Sequence, residues 1–188
     1  KAQNKTVVIY TGKFGGIYYS SDEIISFFKK LHHYDNKLFF YIITPSIDEV
    51  QKSTRKYKLP EEIFNVSLTV SYSELNNHIS AADIGIVAVP PLPSQKYRTP
   101  VKTAIYLSCG VPYIVNKNIG EDDIIAEKNN VGVVIENLEE SPEVIVNKIN
   151  ALLQNSSPQL RINCRRIAET TRSISAATSV LNKIFADF

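Results

Sequence analysis

Arg98 to Val115 reads RTPVKTAIYLSCGVPYIV: a polar start, a short apolar helix, a Gly-Val-Pro turn and a buried strand. Pro100 suits a first helical turn and Thr99 its cap, so the unpaired amides of this helix begin at a defined place. Gly110 stands where a left-handed C-cap is wanted, and Pro112 then prevents helical continuation.

The same alternation extends in both directions. Thr6 to Thr11, Leu38 to Thr44, Val66 to Val70, Ile84 to Val89, Pro112 to Val115 and Val131 to Ile135 are β-branched or aromatic runs bounded by Gly, Pro, Ser or Asn, and predict six strands. Between them Ser21 to Tyr34, Ile47 to Tyr57, Ser73 to Ala82, Pro100 to Cys109 and Glu121 to Asn129 carry apolar residues three and four apart, as helices do. Strands apolar on both faces that alternate with helices require a parallel sheet covered on both sides. The fold class is therefore α/β, a doubly wound Rossmann-like six-stranded parallel sheet. Two helical segments follow, Ser141 to Leu153 and Pro158 to Phe185, the last expected to pack outside the sheet or against another domain. In Ser20-Ser21-Asp22-Glu23 a hydroxyl can cap the first long helix, whose positive end the two acids favour.

With 188 residues, 44% of them hydrophobic, the chain suits one domain over 1–188, of which 141–188 are C-terminal helices. The 21 basic and 19 acidic side chains leave a net charge of +2, too little for a phosphate-backbone footprint, so nucleic acid is disfavoured. Cys109 and Cys164 have no metal-binding spacing and fit buried thiols of a reduced compartment. No Asp-x-Asp occurs and His32, His33 and His78 are scattered, so neither a metal nor a cofactor is expected. The apolar runs fall far short of the roughly 20 residues that span a bilayer. The chain starts Lys-Ala-Gln-Asn-Lys and lacks methionine, which suggests a piece of a longer protein with a partner domain before it.

Sheets of this class bind ligands beyond the carboxyl ends of their strands, where helix amino termini meet anions. Two loops qualify. TGKFGGIYYSS, Thr11 to Ser21, holds Gly12, Gly15 and Gly16 with Lys13, although its spacing is not G-x-G-x-x-G and Tyr18 and Tyr19 crowd the turn. PPLPSQKYRTP, Pro90 to Pro100, brings Lys96 and Arg98 beside Lys102 at a helix amino terminus, where cations repel unless an anion is present. The alternatives are a glycine turn without ligand and a solvated basic loop.

YTGKFGG, YSELNNHISAADIGIV, TPVKTAIYLSCGVPYIVNKNIGEDD and NNVGVVIEN, in that order over Thr6 to Asn137, resemble the carboxy-terminal, donor-binding domain of retaining GT-B glycosyltransferases of the glycogen-synthase-like group. The resemblance implies a nucleotide-sugar donor, UDP-linked, with its diphosphate between the glycine loop and the helix starting at Pro100. It assigns Lys13 and Lys102 to catalysis. It assigns Gly12, Gly15, Gly16, Lys96, Arg98, Thr99, Pro100 and Val101 to donor binding, with Tyr72 and Glu74 beside the base. It also implies a glycan or lipid-linked acceptor held by an N-terminal domain absent from this chain. A cytoplasmic location, at the inner face of a membrane for the full-length protein, and inactivity of the domain alone follow in the same way. Asp83 reads as a structural hydrogen-bonding residue.

One departure stands out. The ribose-binding glutamate of this family corresponds to Ile105, and its partner glutamate to Tyr97. Glu121, Asp122 or Asp123 are the candidates to replace it. The departure leaves two other readings open: a degenerate, non-catalytic GT-B domain that binds a partner, and a nucleotide-sugar epimerase.

Overall fold

The computed structural model of the chain describes residues 4–154 and 158–186, without the side chain of Tyr72. Strands β1 (Thr6–Thr11), β2 (Leu38–Ile43), β3 (Phe64–Ser67), β4 (Ile84–Val87), β5 (Tyr113–Asn116) and β6 (Gly132–Ile135) form one parallel sheet in the order β3-β2-β1-β4-β5-β6. The helices are α1 (Ser21–Tyr34), α2 (Ile47–Tyr57), α3 (Tyr72–Ser80), α4 (Val101–Ser108), α5 (Asp122–Asn129), α6 (Pro142–Gln154), α7 (Pro158–Thr171) and α8 (Ile174–Ala186). The strand order reverses between β1 and β4, which makes the crevice above them the natural ligand position of this architecture.

Each face of the sheet has its own core. On one, Phe27 and Phe28 of α1, Val50 of α2 and Ile145 and Ile149 of α6 pack on Phe40, Ile42 and Ile114. On the other, Ile79 of α3, Tyr106 and Leu107 of α4, Ala126 of α5 and Cys164 and Ile167 of α7 pack on Ile9, Val87 and Tyr113. Both cysteines are buried and unpaired. The expected cap of α1 is a full capping box, with Ser20 Oγ accepting from the Glu23 amide while Glu23 Oε2 accepts from the Ser20 amide at 2.8 Å. Gly110 takes the left-handed φ of +72° expected after α4. Asp83 accepts from the Val7 amide at 2.9 Å and so fastens the start of β1.

Three expectations need correction. The third strand runs Phe64–Ser67 rather than 66–70, because its register is set by β2: Phe40 faces Phe64 and Ile43, where β2 ends, faces Ser67. The final helix is two helices, because Ser173 caps a new start: its Oγ accepts from the Ala176 amide at 3.1 Å. Thr99 does not cap α4. Pro100 occupies that position without a side-chain cap bond, Thr99 is exposed, and the Thr103 hydroxyl turns back to donate to the Pro100 carbonyl at 2.7 Å.

Candidate functional site

The loop after β1 is folded down onto the carboxyl end of the sheet by its aromatic residues. Phe14 is buried and stacks on Tyr10 with 4.4 Å between ring centres, while the Tyr10 hydroxyl donates to the Lys13 carbonyl. Tyr19 is buried, its amide donating to the Ala88 carbonyl at 3.2 Å and its hydroxyl accepting from Asn116 Nδ2 at 2.8 Å. Loop 12–19 is thereby tied to the residues that follow β4 and end β5. Between these anchors the Gly15 amide donates to the Tyr19 carbonyl and the Tyr18 amide to the Gly15 carbonyl. Gly15 and Gly16 have φ of +75° and +66°, and side-chain carbons there would meet nothing within 4 Å, so bare backbone faces open space.

The opposite wall is the start of α4. The turn before it is braced from behind: Gly120 donates its amide to the Gln95 carbonyl at 3.0 Å and packs so closely that a Cβ would lie 2.0 Å from the Arg98 carbonyl oxygen. The Thr103 amide donates to the Pro100 carbonyl at 3.3 Å, and the Val101 and Lys102 amides, with no carbonyl four residues earlier within the helix, are left for an external acceptor.

The two walls meet at Gly12 and Lys102. Gly12 adopts φ of +123°, and a Cβ there would lie 2.9 Å from Lys102 Cε and 3.0 Å from its Nζ. The Lys102 ammonium is buried without a hydrogen-bond partner, 4.7 Å from the centre of the Tyr10 ring and 4.3 Å from that of Tyr18. Burial, with Arg98 adding repulsion, pushes its pKa down to about 8. A buried cation without an acceptor is costly, so this ammonium is held in a state an incoming anion would relieve.

Tyr106, one turn after Lys102 on the same side of α4, sets that placement. Its buried hydroxyl lies 3.2 Å from both the amide and Oγ1 of Thr11 and donates to the Ile86 carbonyl at 3.3 Å, joining α4 to the ends of β1 and β4. The ring lies against Gly85, where a Cβ would come within 2.6 Å. Sequence reasoning missed Tyr106, Gly85 and Gly120; a glycine inside a strand was the available signal of a close approach.

The remaining candidates are dispersed around this centre. Arg98 also lies over Tyr18, 5.3 Å from its ring centre. Lys96 is exposed and rests on the exposed Tyr97 ring, and Lys13 and Val101 are exposed on the two walls. Glu74 is exposed in the first turn of α3, its Oε2 accepting from Ser71 Oγ at 2.7 Å. The side chain of Tyr72 lies outside the described residues. Ile105 is half-buried against the second core. Of the three acids considered as its substitute, two are engaged elsewhere. Asp122 is buried, accepting from Thr103 Oγ1 at 3.3 Å and from Arg172 Nη2 at 2.5 Å, and Asp123 accepts from the amides of Asn118 and Ile124. Glu121 is exposed.

The fold and these motifs have counterparts. The C-terminal domain model of the glucosyltransferase 3-like family matches residues 17–184. No curated protein sequence matches the chain. Among solved structures, sucrose-phosphate synthase from Thermosynechococcus elongatus is similar at a TM-score of 0.73 and 14% identity, over 98% of this chain and 47% of that one. A mutant of S. aureus TarM, in complex with fondaparinux, α-GlcNAc-glycerol and UDP, gives 0.68 and 16%, over 98% and 35%. The C-terminal CMP-Kdo binding domain of WaaA from Acinetobacter baumannii gives 0.59 and 14%, over 88% and 90%. The chain thus spans about a third to a half of the first two. With a parallel Rossmann-like sheet of the GT-B type and a family model matched over most of its length, this chain belongs to the glucosyltransferase 3-like C-terminal domain family.

Proposed function

We propose that the chain is the donor-binding half of a retaining glycosyltransferase, taking a UDP-linked sugar and passing it to a glycan or lipid-linked acceptor held by an N-terminal domain of the same protein. The observation that carries this is the partnerless Lys102 ammonium against Gly12, at the point where the strand order reverses. A diphosphate there would meet Lys102, the amides of Thr99 and Val101 and the open backbone of Gly15 and Gly16, with Lys13 at the rim. As the donor bond breaks, negative charge grows on the departing phosphate, and preorganised cations and amides stabilise it. A single cation at ~4 Å and an effective dielectric of about 20 supplies about 4 kcal/mol before desolvation. The TarM structure with UDP and the CMP-Kdo binding domain of WaaA support a nucleotide ligand for this architecture. The exposed apolar side chains of α8, Ile174, Val180, Leu181, Ile184 and Phe185, suit contact with the absent domain.

Titration with UDP, GDP and ADP while following amide signals tests the reading. Shifts at Gly15, Gly16, Val101 and Lys102, largest with UDP, are expected; silence with all three nucleotides overturns it. Ile105 favours the second reading, a degenerate module that binds a partner and no donor, because Asp122 and Asp123 are engaged elsewhere and leave only Glu121 among the three candidate carboxylates. The Ile105→Glu variant separates the two: an intact pocket gains roughly tenfold in UDP affinity from a ribose acceptor, worth about 1.4 kcal/mol, and a degenerate one gains nothing.

A further inference from the structure

The ring of Tyr18 is approached by two cations. Lys102 Nζ is 4.3 Å from its ring centre and Arg98 Cζ 5.3 Å, both within the range over which the negative face of an aromatic ring attracts a cation. The ring is held there by the loop, since the Tyr18 amide donates to Gly15 and its neighbour Tyr19 is anchored to Ala88 and Asn116. Around Lys102 the other titratable neighbours are Arg98, which repels it, and Tyr10, whose buried hydroxyl stays protonated well above its ordinary range. Lys102 Nζ, itself buried, has no hydrogen-bond acceptor. The Tyr10 ring, 4.7 Å from Lys102 Nζ, gives that ammonium a second π surface, whereas Tyr18 meets both Lys102 and Arg98.

We propose that Tyr18 is a positioning residue whose ring stands in for a ligand's negative charge beside Lys102 and Arg98 until a nucleoside diphosphate displaces it. The inference rests on the donor-site reading above. It makes an unusual demand: a contact that must be given up on binding opposes binding, so removing it tightens the complex.

UDP affinity at about pH 6.5, where Lys102 is protonated in every variant, tests this, alongside the Lys102 titration midpoint without ligand, read from the Cε resonance. Tyr18→Phe, which keeps the ring, should leave both within about twofold in affinity and a few tenths in midpoint. Tyr18→Leu should bind UDP roughly three- to tenfold more tightly and lower the midpoint. Tyr18→Met, flexible and without a π face, replaces it if the leucine variant is unfolded in a thermal melt. Weaker UDP binding by the leucine or methionine variant, or an unmoved midpoint, overturns the proposal. Should the unsubstituted chain fail to bind UDP, the donor-site reading falls, while the midpoints still decide whether Tyr18 holds the cation.

Discussion

The ring of Tyr106 occupies the space a side chain at Gly85 would need, with three of its carbons within 2.8 Å of where a Cβ would stand. Gly85→Ala must therefore displace the ring, and with it the hydroxyl that holds Thr11. Urea unfolding should show a loss of about 1–3 kcal/mol, as for overpacked cores. In the background of Tyr106→Leu the same glycine substitution should cost much less, because the two residues share one contact.

Tyr106→Phe keeps the ring and removes only the hydroxyl. It leaves the buried Thr11 amide without its partner and should cost about 1–3 kcal/mol, measured in the same way.

Lys102 is expected to lower stability for the sake of the site. Its pKa falls to about 8 in the fold, from about 10.4 when unfolded. Between those values the folded chain binds fewer protons than the unfolded one, so stability rises with pH from about 8 to 10. At neutral pH Lys102→Met should stabilise the chain, by up to about 3 kcal/mol if the whole shift is recovered. The same variant should lose UDP affinity by about tenfold or more. Thermal melts from about pH 6 to 10 and a UDP titration measure the two effects.

Asp122 shows the opposite slope. Burial raises its pKa to about 6 in spite of the opposing pull of Arg172 and the hydrogen bonds it accepts. Because the folded carboxyl keeps its proton to higher pH than the unfolded one, at about 3.9, stability should fall by roughly 3 kcal/mol as pH rises from about 4 to 6. Asp122→Asn should flatten that part of the stability profile. Arg172→Met should instead extend the fall to higher pH and enlarge it, since the carboxylate is then buried without its cation.

None of the described residues of α8 is buried. A chain ending at Ser173 should keep its unfolding free energy within about 0.5 kcal/mol, measured in urea.

Much of the fold was legible because its signals are local. Ser20 and Glu23 mark the start of α1, Gly110 and Pro112 the end of α4, and β1 and α1 end where periodicity places them. What failed has two sources. The extent of β3 follows from β2, distant in sequence. The break at the Ser173 cap and the turn of Thr103 back to Pro100 are local, but were overridden by the continuous apolar periodicity and by the Thr-Pro cap pattern. At the site, glycines and cations announced the two loops, but not the residues that join them. Tyr106 reaches Thr11 across 95 residues, and Tyr18, visible only as bulk in a turn, proves to meet both Lys102 and Arg98. Aromatic residues look alike in sequence whether they fill a core or hold a charge.

On the donor-site proposal, the Lys102 ammonium beside the glycine loop would be met by a diphosphate. The most direct measurement is its titration midpoint with and without saturating UDP. With bound UDP the midpoint should rise by at least about one pH unit from about 8, as the nucleotide supplies the missing negative charge. A midpoint unchanged by UDP that is demonstrably bound would place the phosphates elsewhere and contradict it.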